Sequence, residues 1–424
     1  YSYIMYHRLR VGLLVVFCLS IGNLFGIFAQ HSTDYYSLSM VGNAGNGIFA
    51  PYYLSANKHG LVTHSKSGYL RASVFKGLEM NKRFSYEFGI DLVGLMSSTS
   101  PVSYYSDGNL KTYNPGVSSF LIQQAYIGMK YRMIFISAGC RELTDEVVNF
   151  ELSSGGLVWS GNARPIPQVR AGFIDFVDIP FTKGWIQIKG ELAYGKFMDN
   201  DFLRDHYNYY NQYITTDALY HHKSISFRSN PDKPFVVTIG AELAAQFGGT
   251  KRYYEKGILI DSLTMKSPTR LKDFFKILFP SSGDGQTNEG DQAYYYGNHV
   301  GQWNLSAEYR FKDNSSVRGY FEWYFDDASG MGKFNGWDGL WGLEYKSGKK
   351  NWLSNVVLEY LDMTNQSGPL NWCPSDYNDP KLDIEATGAD DYYNNYFYNG
   401  WAHYGLSNGC LLYTSPSPRD RSLS

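Results

Sequence analysis

Residues 299–346 constrain the fold most. Trp303, Leu305, Ala307, Tyr309 and Phe311 alternate with Gln302, Asn304, Ser306, Glu308 and Arg310. After a polar turn at 312–316 the pattern resumes, with Val317, Gly319, Phe321, Trp323 and Phe325 set against Arg318, Tyr320, Glu322 and Tyr324. A strand sends successive side chains to opposite faces, so this is a period-2 signal. One face is aromatic and the other carries charges, which a dry sandwich core does not accept unpaired. An outward apolar band around a polar lumen suits both faces, as in a transmembrane β-barrel. A soluble antiparallel sheet with one wet face gives the same alternation, so this stretch alone leaves both open.

The rhythm of the whole chain favours the barrel. Strands are predicted at 69–78, 84–94, 120–131, 133–140, 166–176, 185–194, 218–228, 235–247, 299–311, 317–325, 340–346, 351–361 and 399–406, with at least one more before Tyr69. Phe84, Tyr86, Phe88, Ile90 and Leu92 against Ser85, Glu87, Gly89 and Asp91 form a clean example. Short turns alternate with long loops at 96–119, 141–165, 196–217, 248–296, 326–339 and 362–398. That is the pattern of an all-β, antiparallel, up-and-down barrel, with about 16–18 strands expected in the intact protein. The loop 248–296 is expected to carry a helix with Leu271, Phe274, Phe275 and Leu278 on one face after a Ser267/Thr269 cap, a candidate plug for the pore.

The ends are read separately. Met5, the basic His7-Arg8-Leu9-Arg10, the apolar run Val11–Phe28 and Ala29-Gln30 follow the order of a secretory signal peptide over residues 1–29, with Tyr1–Ile4 ahead of the start codon. Residues 30–409 are the expected barrel, incomplete at its C-terminus. Cys410–Asp420 is similar to the conceptual translation of a sequencing adapter, and 410–424 is set aside as an artefact. Cys140 and Cys373 then remain, which is no disulfide framework. The net charge of −2 implies no nucleic-acid partner. No cofactor or metal motif stands out, and the acidic loop Asp326–Gly339 lacks EF-hand spacing.

Two groups of residues invite a chemical reading. His221-His222-Lys223-Ser224 lies on a predicted strand, and His222 with Ser224 on one face raises a hydrolase reading. No Gly-x-Ser-x-Gly elbow accompanies it, so a polar lumen cluster is the simpler account. The long loops are dense in aromatics: Tyr104, Tyr105, Tyr207, Tyr209, Tyr210, Trp337, Trp372, Tyr377, Tyr392, Tyr393 and Tyr396, interleaved with acids such as Asp338. Aromatic faces stack on sugar C–H groups while carboxylates and amides meet the hydroxyls. From these, Trp337, Asp338, Trp372, Tyr377, Tyr392, Tyr393, Tyr207 and Tyr209 are the candidate glycan contacts. Interfacial Tyr and Trp belts are the competing explanation.

Several short motifs recur in an order that resembles the capsule assembly Wzi family. They are Ala50-Pro-Tyr-Tyr-Leu-Ser-Ala-Asn-Lys-His-Gly60, Gly155-Gly-Leu-Val-Trp-Ser-Gly-Asn162 with Pro165, His221–Ser224, Gln246-Phe-Gly-Gly249, Gly297-Asn-His-Val-Gly-Gln-Trp303, and Asp326–Met331 through Asp338-Gly-Leu-Trp341. The resemblance implies an outer-membrane barrel of a Gram-negative bacterium, set in outer-membrane lipid, that is not an enzyme and binds capsular or extracellular polysaccharide; a monomer is expected separately. A porin or transporter, and an outer-membrane hydrolase, are the alternatives.

Overall fold

A computed structural model describes residues 27–31, 34–98, 102–106, 109–113, 120–145, 147–207, 212–288, 291–292, 295–326, 331–333, 336–349, 352–365 and 392–412. The first strands are β1 (Ile27–His31), β2 (Asp34–Asn43), β3 (Ser67–Lys76) and β4 (Phe84–Ser97), with the short helix α1 (Tyr52–Ser55) between β2 and β3. A separate hairpin, β5 (Val102–Ser106) and β6 (Asn109–Tyr113), stands within the loop predicted at 96–119. The sheet continues through β7 (Phe120–Tyr131), β8 (Ile134–Cys140), β9 (Gln168–Phe173), the two-residue β10 (Val177–Asp178) and β11 (Ile186–Lys196). Helix α2 (Asn200–Tyr207) leads to the long pair β12 (Gln212–Ser229) and β13 (Phe235–Glu255). Two flaps, β14 (Ile258–Leu259) and β15 (Met265–Lys266), and helix α3 (Leu271–Leu278) precede β16 (Asn298–Arg310), β17 (Ser316–Phe325), β18 (Gly339–Lys346) and β19 (Asn355–Asp362). A last small hairpin is β20 (Ala402–His403) with β21 (Leu406–Ser407).

Seventeen of these strands form one antiparallel sheet; its long strands pair in chain order, with β10 added to β11 and β14 and β15 added to β13. The two ends of each strand differ, as the sequence predicts. At one end the connections are tight, as at Arg132-Met133 and 311–315; at the other they are long, as at 44–66, 141–167 and 256–297. Arg132 takes a left-handed φ of 55°, which closes the β7–β8 turn. The fold is thus all-β, antiparallel and up-and-down, of the barrel type, and β1 and β19 do not pair with each other among the described residues.

Exposure along the strands is inverted relative to a soluble sheet. In β4, Phe84, Tyr86, Phe88, Ile90 and Leu92 are exposed, whereas Ser85, Glu87 and Asp91 are buried. In β7, Phe120, Ile122, Ile127 and Met129 are exposed while Gln123, Gln124 and Lys130 are buried. A bulge where Leu92 pairs with Ile122 lets both glutamines point inward.

Two expectations are corrected. The strand expected at 399–406 is only the β20–β21 hairpin, outside the main sheet, because Trp401 and the residues around it turn into the interior. Cys410, the first residue of the segment set aside, is fully buried there, its thiol 3.2 Å from Ser154 Oγ. In α3 the cap is Arg270 with Asp273, not Ser267 or Thr269. The packed face is Phe274 and Ile277, and Leu271 and Phe275 are exposed, so the helix does not present the expected stripe to the protein.

Candidate functional site

The interior is the site from which the other features are placed. Inward side chains of β4, β7, β16, β17 and β19 are polar, and each meets a segment that folds back between the strands. Glu322 accepts the Leu157 amide at 2.7 Å, and Gln302 Oε1 accepts the Val158 amide at 2.9 Å. Glu359 accepts the Ser154 amide at 2.8 Å and the hydroxyls of Ser153 and Ser154 at 2.5 and 2.7 Å. The backbone of 153–158 has no strand partner among the described residues, so the buried Glu322 and Gln302 and the half-buried Glu359 satisfy it.

The segments also lock each other. Asn57 Nδ2 donates to Ser153 O at 3.0 Å, and its Oδ1 accepts the Gly161 amide at 3.0 Å. Asn162 Oδ1 accepts the Asn57 amide at 2.7 Å, and the His59 amide donates to Gly161 O at 2.6 Å. Asn57 and His59 sit at left-handed φ values of 53° and 50°, which Asn tolerates better than most residues. From the other side, Trp401 Nε1 donates to Val158 O at 2.7 Å, Tyr392 Oη to Gly301 O at 2.9 Å, and Tyr393 Oη to Leu157 O. The motifs Ala50–Gly60 and Gly155–Asn162, far apart in sequence, therefore meet with residues 392–401 in one interlocked plug, which Gly297–Trp303 at the start of β16 faces from the wall. Its apolar part joins Leu157, Val158, Tyr392, Tyr393, Tyr398 and Trp401 to Tyr220, Ala244, Val300 and Tyr324 of the wall.

Beside the plug the lumen is lined with paired charges. Arg71 reaches Asp91 at 2.5 Å and Glu142 at 2.7 Å, and Gln123 and Gln124 donate to the same Glu142. Arg170 Nε donates to Glu191 at 2.8 Å. His222 Nε2 lies 2.7 Å from Glu242, with Glu191 3.8 Å from its other ring nitrogen. His222 is thus engaged by two carboxylates; Ser224, on the same face, is in register with Glu191 and Glu242, and no hydrogen bond joins it to His222 among the described residues. A narrow cleft under the plug is lined by His59, Arg141, Trp159, Arg164, Gln168 and Asn408. The buried Asn408 Nδ2 has no hydrogen-bond partner among the described residues. Burial holds the His59 imidazole below its ordinary pKa, so it is neutral here.

The candidate glycan residues divide in three. Trp372, Tyr377 and Tyr209 lie outside the described residues. Tyr392 and Tyr393 are in the plug rather than on a surface loop, because each hydroxyl closes a buried backbone carbonyl. Asp338 is buried too. Its carboxylate accepts the Asn365 side-chain amide at 3.1 Å and the Asn365 backbone amide, tying the two ends of neighbouring loops; burial raises its pKa.

Trp337 and Tyr207 remain accessible. Trp337 is 66% exposed and stacks on Trp323 with 5.5 Å between ring centroids, next to Phe321 and Trp341. Phe321, Trp323 and Trp341 are on the outward face, so Trp337 crowns an outer aromatic group at the long-loop end. Tyr207 ends α2, half-buried, its ring 6.1 Å from Phe202.

No family model and no curated protein matches the chain. Among solved structures it is similar to Wzi of Escherichia coli, an outer membrane protein involved in group 1 capsule assembly and described as a carbohydrate-binding β-barrel. The TM-score is 0.47 at 12% identity, over 92% of this chain and 65% of that one. The chain therefore spans just under two thirds of the length of that structure.

Proposed function

We propose that the protein is a non-enzymatic outer-membrane barrel of a Gram-negative bacterium that holds capsular or extracellular polysaccharide at the cell surface. The observation that carries the membrane part is the inverted exposure of β4 and β7. A row of bare Phe, Tyr, Ile and Met opposite buried Glu, Asp and Lys is stable only where the outer solvent is apolar. By the same rule the long-loop end is extracellular.

The interlocked plug supports a binding scaffold rather than an open pore, since three segments bonded to the inward side chains occupy the interior. His222 is paired with Glu242 and Glu191, and no hydrogen bond joins it to Ser224 among the described residues, so the hydrolase stays the second alternative. Binding is assigned to Trp337 and Tyr207 at the long-loop end, together with Trp372, Tyr377 and Tyr209 from the same loops. Asp338, Tyr392 and Tyr393 shape the rim and plug beneath them. The ligand is a polysaccharide and not nucleic acid, consistent with the near-zero net charge.

The test is deletion of the complete gene in its host, with cell-attached and released polysaccharide measured separately. Polymer that is still made but shed into the medium upholds the proposal. Unchanged attachment with reduced uptake of small solutes would replace it with a porin. In the intact protein, Trp337→Ala with Trp372→Ala should weaken polysaccharide binding; unchanged binding would remove these loops from the site.

A further inference from the structure

The helical part of the loop 256–297 lies outside the lumen. It lays α3 on the outer side of the wall. Tyr194, Leu219, Ala245 and Phe247 are on the face of β11–β13 opposite the plug-facing Tyr220, Ala244 and Gln246, and they pack with Phe274, Ile277 and Tyr296 of the loop. Tyr194 Oη donates to Phe274 O at 3.0 Å, and Lys223 Nζ donates to Ile277 O at 3.2 Å and to Leu278 O. The helix thus covers an outward lysine that would otherwise face the apolar solvent.

The far side of α3 is apolar. Leu271, Phe275 and Phe279 recur every fourth residue, on one edge, and are 76%, 55% and 70% exposed. Beside this edge Arg270, Lys272 and Lys276 converge on Asp284 at 2.7, 2.9 and 3.9 Å, and Arg270 also pairs with Asp273. Three cations face two carboxylates, leaving positive charge next to exposed hydrocarbon. The level on the wall agrees. Trp303 is in register with Ala241 and Trp323, which marks the aromatic group, and Ala245 and Phe247 lie further along β13 toward the long-loop end. Aromatic girdles sit at the edge of the hydrocarbon, so α3 sits where headgroups begin.

We infer that α3 is a lipid-interface helix. Its Leu271–Phe275–Phe279 edge enters the acyl boundary, and Arg270, Lys272 and Lys276 take the phosphates of anionic lipid in the leaflet on the long-loop side. The occupant follows from continuity with the exposed apolar wall (Ile225, Phe227, Ile239) and from the charge left unmatched around Asp284. The inference rests on the membrane-spanning reading above, and the experiment separates the two.

The full chain is reconstituted into phosphatidylcholine vesicles with and without phosphatidylglycerol. A photo-crosslinking residue is placed one site at a time by Phe275→p-benzoylphenylalanine, Ile239→p-benzoylphenylalanine and Ser262→p-benzoylphenylalanine, and adducts are read by mass. Lipid adducts at Phe275 and Ile239 but not at exposed Ser262 are expected. Adducts at Ile239 without adducts at Phe275 overturn the helix assignment alone; adducts at neither overturn the membrane reading. Lys272→Gln and Lys276→Gln should each lower the phosphatidylglycerol share of adducts at Phe275 by about fivefold. An unchanged share would overturn the headgroup part.

Discussion

Replacing Asn57 by Ala tests the plug most directly. The side chain is buried, donates to Ser153 O and accepts from the Gly161 amide, both at 3.0 Å. Its removal strands one buried carbonyl and one buried amide, at roughly 1–3 kcal/mol for each group left unpaired. Position 57 is also left-handed, at φ 53°, where Ala is less favourable than Asn by about 1 kcal/mol. The terms are not strictly additive, so a local loss of about 3–5 kcal/mol is expected. Leu157 and Val158 report it, because their amides are held by Glu322 and Gln302 within the plug. If the plug opens as one unit, their hydrogen exchange should accelerate by about two to four orders of magnitude, while amides of β4 keep their protection. Asn57→Gly should recover about 1 kcal/mol of the loss, since Gly adopts this φ freely but restores neither bond. Exchange at Leu157 and Val158 within tenfold of the parent, in a folded Asn57→Ala protein, would refute the interlock as the element that holds the plug.

Three further outcomes follow from the same contacts. Gly156→Ala would set a Cβ 2.3 Å from Asp145 Oδ2 and 2.7 Å from Trp159 O, so it should destabilise the plug by about 1–3 kcal/mol, read as earlier thermal release of this segment. Tyr393→Phe removes the hydroxyl that donates to Leu157 O and accepts the Cys410 amide at 3.0 Å; a loss of about 1–3 kcal/mol is expected, with polysaccharide binding altered no more than by other plug variants. The carboxyl of Asp284 is held at about 2, first by its hydrogen bond from Lys272 and further by Arg270, against an ordinary 3.8. A depressed pKa contributes order above the ordinary value and loses it as pH falls toward about 2, so exchange in 270–284 should rise over that window, and Asp284→Asn should reduce the pH dependence to the part that Asp273, also lowered by Arg270, still supplies.

Much of the wall was legible in the sequence. Alternation such as Phe84-Ser85-Tyr86-Glu87 assigns faces without any tertiary information, because a strand has only two. The short turns and long loops were legible for a similar reason: the period breaks wherever pairing stops. The motifs Ala50–Gly60 and Gly155–Asn162 were visible as unusual strings of small and polar residues, but nothing in them said that they touch. The lumen carboxylates Glu322 and Glu359 were visible as the polar half of an alternation, yet their service to the plug backbone was not.

Local periodicity determines which side chains share a face; it does not determine what comes to lie against that face. Tyr392 and Tyr393 look like loop aromatics and are plug anchors, because their hydroxyls find carbonyls at Gly301 and Leu157. Asp338 looks like a solvated acid and is a buried clasp on Asn365. The helix at 271–278 was foreseen, but its side of the wall was decided by Tyr194, Phe247 and Lys223, which offer it an outward seat. Local pattern was enough for most of the strands up to Asp362, their two faces and the alternation of their connections, since those depend on neighbours one or two residues away. Only the tertiary structure decided the plug, the outer helix and the crown at Trp337, because these depend on hydrogen bonds and ring contacts between distant segments, and pairing at such separations leaves no period in the chain.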